Sequence, residues 1–160
     1  MHPKFIQPFT EEQIIQKLES YCAYRERCEI EVKQKLFTLG VEEERIHFFL
    51  NYLKENNFLN EERFTASFTR GKFNIKHWGK RKITQALQQK KIDTKKIQHN
   101  IGNLDEGLYF LTLQDLLEKK SNTIKEKDEF KKKQKLFQYA LQKGYESELV
   151  FEALKFIKIS

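Results

Sequence analysis

The sequence predicts an all-α chain, and three observations carry that reading. Leu, Ile, Val and Phe fill 47 of the 160 positions, enough for a folded core, yet only three of them are Val. Turn residues are scarce: Gly numbers six, and the two Pro are Pro3 and Pro8. Apolar residues also recur at helical spacing, in a pattern that repeats along the chain.

The repeat is seen by aligning Gly40, Lys91 and Gly144. Eight residues before them stand Val32, Ile83 and Leu136, and four before stand Leu36, Leu87 and Ala140. Val41, Ile92 and Tyr145 follow directly; Ile46, Ile97 and Val150 come six after, and Leu50, Ile101 and Leu154 ten after. The first two positions share a helix face, the reference residue ends that helix, and the last two line a face of the next helix. Glycine suits the reference position because it takes the left-handed conformation that stops a helix. Lys91 must either use another conformation there or bear strain.

A spacing of about fifty residues leaves room for a further helix ahead of each pair. Those helices are expected at Thr10–Tyr24, Glu61–Phe73 and Asp105–Lys120. Thr10-Glu11-Glu12-Gln13 is a capping-box pattern, and Asn60 followed by Glu61 and Glu62 is a good helix start. Phe64 and Phe68 form an apolar stripe on the second, and Leu108, Leu111, Asp115 and Leu116 mark the face read as core on the third. Cys28-Glu29-Ile30-Glu31 opens a helix with cysteine in the capping place, and Ser121-Asn122-Thr123 marks a break. The mixed charges from Lys125 to Lys135 read as a solvated, salt-bridged face. The expected architecture is three tandem three-helix repeats in an elongated, curved array. Its segments are a tail at 1–9 and repeats at 10–59, 60–103 and 104–160.

Charge is unevenly placed. Residues 1–60 carry 8 basic and 10 acidic groups, residues 61–103 carry 11 and 3, and residues 104–160 carry 11 and 10. The surplus of the whole chain therefore lies in the middle, the footprint of a surface that meets a polyanion. No apolar run reaches the length of a membrane span, and the N-terminus lacks the apolar stretch of a secretion signal. Cys22 and Cys28 suggest neither a disulfide framework nor a zinc site, and the four His are scattered. P-loop, GxGxxG and GxSxG patterns are missing. A cytoplasmic, monomeric protein without catalysis, metal or cofactor is expected.

Residues 58–93 read FLNEERFTASFTRGKFNIKHWGKRKITQALQQKKID. The Leu-Asn-Glu-Glu-Arg-Phe start, Arg70 six residues after Phe64, Gly79-x-x-Lys82-Ile83-x-x-x-Leu87 and the Lys-x-Ile ending resemble the RecX family, bacterial regulators of the RecA recombinase. Tyr24-Arg25-Glu26-Arg27-Cys28-Glu29-Ile30-Glu31-Val32 is similar to that family's Arg-rich approach to a Ser-x-x-Glu-Leu helix, with Cys28 for Ser. Lys82 stands where the family frequently has Arg. The resemblance implies tandem three-helix repeats and a protein that lies along the RecA filament on single-stranded DNA. There it would restrain ATP hydrolysis, strand exchange and filament growth. Arg70 to Lys96 holds ten basic residues against the single acid Asp93. On that charge the contact surface is placed at Arg70, Lys72, Lys76, Lys80, Arg81 and Lys82. Consecutive Lys80, Arg81 and Lys82 cannot share one helix face. Trp78 is read as packing more than as a base-stacking platform. The rival readings are an independent DNA- or RNA-binding protein of helix-turn-helix type, and a scaffold with a protein partner only.

Overall fold

A computed structural model gives the fold of residues 9–158, so the expected N-terminal tail lies outside the described residues except for Phe9. Nine helices and no strand occur among the described residues. They are α1 (Glu11–Tyr24), α2 (Glu29–Thr38), α3 (Glu43–Glu55), α4 (Glu61–Asn74), α5 (Lys80–Gln89), α6 (Thr94–Gly102), α7 (Glu106–Ser121), α8 (Glu129–Gln142) and α9 (Ser147–Leu154). Two compact units divide the chain, one ending at Ser67 and the other beginning at Phe68. The boundary falls inside α4.

The first unit is built on α1, α2 and α3. Thr10 caps α1 reciprocally: the Gln13 N–H donates to Thr10 Oγ1 at 3.2 Å, and the Thr10 N–H donates to Gln13 Oε1 at 2.9 Å. Ile14, Leu18 and Cys22 then fall four apart on one face and pack with Val32, Leu36, Phe49, Leu50, Leu53 and Leu59. Each such fully buried aliphatic side chain is worth roughly 1.5–3 kcal/mol. Arg45 pairs with Glu11 at 2.7 Å and the Tyr52 hydroxyl donates to Glu19 at 2.8 Å, so polar ties flank the core from α3 to α1. Cys22 and Cys28 are both buried, and burial pushes the Cys22 thiol up to about 11. That thiol is therefore protonated and unreactive at neutral pH.

In the second unit Ile83 and Leu87 on α5, Ile92, Ile97 on α6, Tyr109, Leu113 and Leu117 on α7, and Leu136, Ala140, Tyr145 and Val150 are buried. Helices α7, α8 and α9 pack on one another. The face of α7 differs from the expected one. Leu108 and Leu111 are more than half exposed, and Tyr109, Leu113, Leu117 and Ser121 face inward instead. Apolar residues on this helix spread beyond one face, and the buried row is the one spaced four apart through Tyr109, Leu113 and Leu117. The buried set follows the tyrosine, whose hydroxyl finds polar partners inside. The run from Lys125 to Lys135 is mostly solvated, with Lys133 at 3.5 Å from Glu129 and Lys135 at 3.4 Å from Glu126, although Lys132 is buried.

The three aligned reference residues all lie in the left-handed region, with φ of 78° at Gly40, 56° at Lys91 and 99° at Gly144. Each ends its helix in the same way. The next residue donates its N–H five residues back, from Val41 to Leu36, Ile92 to Leu87 and Tyr145 to Ala140, at 3.0, 3.2 and 3.1 Å. Of the fifteen aligned apolar residues, only Ile46 and Ile101 are not fully buried. Lys91 thus keeps the conformation and bears a penalty of about 1 kcal/mol for its Cβ. Replacing it with glycine should stabilise the second unit by roughly 0.5–1 kcal/mol, read as a higher urea midpoint at unchanged m-value.

Candidate nucleic-acid interface

The cationic residues singled out from the sequence all lie in the second unit, on the end of α4, the connecting turn and the start of α5. The turn is set by backbone chemistry. His77 is left-handed at φ 58°, its N–H donates to the Phe73 carbonyl at 3.0 Å, and the Trp78 N–H reaches the Lys72 carbonyl at 2.9 Å. The half-buried Trp78 ring is thereby brought beside its own helix end. Lys72 Nζ lies 4.7 Å and Lys82 Nζ 4.4 Å from the ring centroid. Cation–π attraction holds two ammonium groups near one indole. Phe68 repeats the arrangement, with Lys72 at 5.3 Å and Lys90 at 6.0 Å.

Arg70, Lys76 and Arg81 are exposed and form no ion pair among the described residues. Lys80 is diverted. Its ammonium pairs with Glu106 at 2.5 Å and lies 4.7 Å from the Tyr109 ring, so most of its charge is spent within the fold. Lys80, Arg81 and Lys82 indeed point to three different surroundings. Lys90 beside Phe68 was not singled out from the sequence; its spacing from Phe68 along the chain gives no local signal.

Three consecutive cations at the start of α5 oppose the helix dipole, and its first turn has no acid. Each such misplaced charge costs roughly 0.3–1 kcal/mol. The backbone donors there are already used: the Gly79 N–H donates to the Lys143 carbonyl at 2.7 Å, the Lys80 N–H to the Tyr109 hydroxyl at 2.9 Å, and the Arg81 N–H to the Gly144 carbonyl at 2.9 Å. An anion bound here therefore finds these three donors taken and relies mainly on side chains. The Tyr109 hydroxyl in turn donates to Glu146 Oε1 at 2.7 Å, and Tyr145 donates to the His77 carbonyl at 2.9 Å. Ring centroids 5.7 Å apart for Phe73–Tyr109 and 5.0 Å for Tyr109–Tyr145 continue the contact. This joint fixes the cationic turn against α7 and the turn before α9. In the sequence Tyr145 shows only as one of the aligned apolar residues, and the network has no local signal.

Burial raises the phenol of Tyr109 and that of Tyr145 far above the usual tyrosine range. Raised folded-state values mean that their stabilisation is complete below the unfolded value near 10 and is lost as pH rises above it. Stability should accordingly fall above about pH 10, by up to ~1.4 kcal/mol per pH unit for each tyrosine. Tyr109→Phe should remove its share of that slope. It should also cost roughly 1–3 kcal/mol at pH 8, because the Lys80 N–H and Glu146 lose their partner. Urea titrations at the two pH values check both.

Among the described residues no group of three or more His, Cys, Asp or Glu gathers to hold a metal ion. No helix among them is long and apolar enough to cross a membrane.

Comparison with known proteins places this geometry. Residues 60–99 match the model of the RecX second three-helix domain, and residues 109–154 match that of the third. The chain is 34% identical over 121 residues to a protein named Regulatory protein RecX of Clostridium perfringens, covering 74% of this chain and 56% of that one. It is 32% identical to the protein of that name from Vibrio parahaemolyticus, with 79% of each chain covered. The chain thus spans a little over half the length of the clostridial relatives it matches. A crystal structure of RecX from Lactobacillus salivarius has the same fold, with a TM-score of 0.78 over 90% of this chain and 94% of that one at 23% identity. With both domain models matched and the Vibrio relative aligned over most of its length, this chain belongs to the RecX family.

Proposed function

We propose that this chain is a non-catalytic cytoplasmic regulator that binds the RecA filament assembled on single-stranded DNA and inhibits its ATPase, strand exchange and growth. The observation that carries the reading is the start of α5, where Arg81 and Lys82, beside a Lys80 paired with Glu106, stand on the positive end of a helix with no acid in its first turn. Such an arrangement lowers the stability of the free protein, and a polyanion offsets the loss on binding. Family membership supports it, because the curated relatives are named as regulatory proteins. The proposed contact residues are Arg70, Lys72, Lys76, Arg81 and Lys82, with Lys80 weakened by Glu106. The segments 10–59, 60–103 and 104–160 act as successive three-helix modules of a monomer, the middle one facing phosphate.

The test is ATP hydrolysis by RecA on single-stranded DNA as this protein is titrated in. Inhibition well below one copy per recombinase supports the proposal. DNA binding with no effect on RecA at equimolar protein overturns it, and assigns the chain to independent nucleic-acid binding of helix-turn-helix type.

A further inference from the structure

The first unit, although net acidic in sequence, holds a shallow, open groove with no carboxylate in its lining. It has a volume of about 530 Å³ and is lined by Lys17, Ser20, Tyr21, Tyr24, Arg27 and Lys35, among others. Its parts are held in place before any ligand arrives. The guanidinium of buried Arg27 lies 3.7 Å from the Tyr21 ring centroid and 5.9 Å from that of Tyr24, and its Nε donates to the Tyr21 carbonyl at 2.9 Å. Lys35 Nζ lies 5.4 Å from the Tyr21 ring, and Lys17 Nζ 4.5 Å from the Phe9 ring. Glu31, which shares Arg27 with the groove, is buried and lies between two arginines, Arg25 at 2.5 Å and Arg27 at 3.7 Å. Its charge is thus more than matched, and Lys17 and Lys35 remain as cations around an aromatic wall. Tyr24, by contrast, is 84% exposed at the end of α1, a large ring left in water.

From this geometry we infer that the groove is a second single-stranded DNA contact, in which a base stacks on Tyr24 and its flanking phosphates meet Lys17 and Lys35. Aromatic faces beside cations are how single strands are bound without reading sequence. An acidic polypeptide would use the lysines but has no need of the exposed ring. The inference rests on the reading of the chain as a partner of single-stranded DNA, yet concerns a different unit from the cationic turn of α4 and α5.

The experiment uses the full chain and a labelled oligothymidylate carrying bromodeoxyuridine. Tyr24 is exposed, so Tyr24→Ala should fold normally and weaken binding roughly 5-fold or more. Lys17→Ala with Lys35→Ala should make the salt dependence shallower by roughly 1.4. Irradiation followed by trypsin should place an adduct on the peptide 18–25, which holds both tyrosines. An adduct confined to residues 68–103, with Tyr24→Ala binding like the parent, overturns the inference and leaves the proposed function standing. Loss of RecA inhibition with the 18–25 adduct retained does the reverse. Displacement of the oligonucleotide by polyglutamate or by inorganic phosphate, equal in parent and Tyr24→Ala proteins, also overturns it by removing the base from the site.

Discussion

Gly79→Ala should destabilise the second unit by roughly 3 kcal/mol or more, among the largest single-residue effects in the chain. A Cβ at this position would stand 2.3 Å from the Gly144 carbonyl carbon and 2.4 Å from the Tyr145 nitrogen, both backbone atoms that cannot rotate away. Relief requires moving the start of α5 off the turn before α9, which breaks the Gly79–Lys143 and Arg81–Gly144 hydrogen bonds. Gly144→Ala should be as severe, because its φ of 99° resists a side chain and its Cβ would meet Lys82 Cβ at 2.4 Å. Gly71→Ala supplies the contrast. It lies within α4 with nothing inside 4 Å of its Cβ, so it should stabilise by roughly 0.5–1 kcal/mol. Denaturant midpoints for the three variants decide the matter: a Gly79→Ala protein as stable as the parent would falsify the close approach.

The largest functional effect is expected from reversing charge at the three unpaired cations together, Arg70→Glu, Lys76→Glu and Arg81→Glu. Affinity for the proposed partner, the RecA filament, should fall on the order of 100-fold at low salt, and the slope of log affinity against log salt should flatten by roughly 2. Because all three side chains are exposed, the unfolding midpoint should hardly move. Binding and salt slope that both match the parent protein would move the contact surface elsewhere. Lys80→Ala offers a sharper distinction. With Glu106 and Tyr109 as its neighbours, it should lower stability while leaving the salt slope almost unchanged.

Much of the fold was readable because its signals are local. Thr10 and Asn60 start helices through side chains three residues from their targets, with the Arg63 N–H donating to Asn60 Oδ1 at 2.9 Å. Gly40 and Gly144 stop helices where the spacing placed a stop, and Lys91 holds the same conformation, with the Ile92 N–H donating back to Leu87 as at the other two. The inward face of α7 was not readable. Leucines at 108, 111, 113, 116 and 117 spread round the helix and blur the i, i+4, i+8 row of Tyr109, Leu113 and Leu117 that is buried, with the Tyr109 hydroxyl bonded to Glu146. The cationic site was legible as a density of charge and not as an arrangement. Nothing within a few residues of Lys80 announces Glu106, and nothing beside Gly79 announces the backbone of Gly144.

The joint at Gly79 also sets which connections can lengthen. The turn from Lys143 to Glu146 gives two carbonyls to α5, and Tyr145 and Glu146 each anchor a further hydrogen bond. One additional residue there would carry the two carbonyls out of reach of α5 and turn the tyrosine away from its partner. The connection from Asn122 to Asp128 is mostly exposed, and apart from the Glu126 pair with Lys135 on α8 its hydrogen bonds stay within neighbouring residues. An epitope or fluorescent label inserted at 122–128 should therefore leave a working protein, whereas the same insertion at 143–146 should yield one that no longer folds.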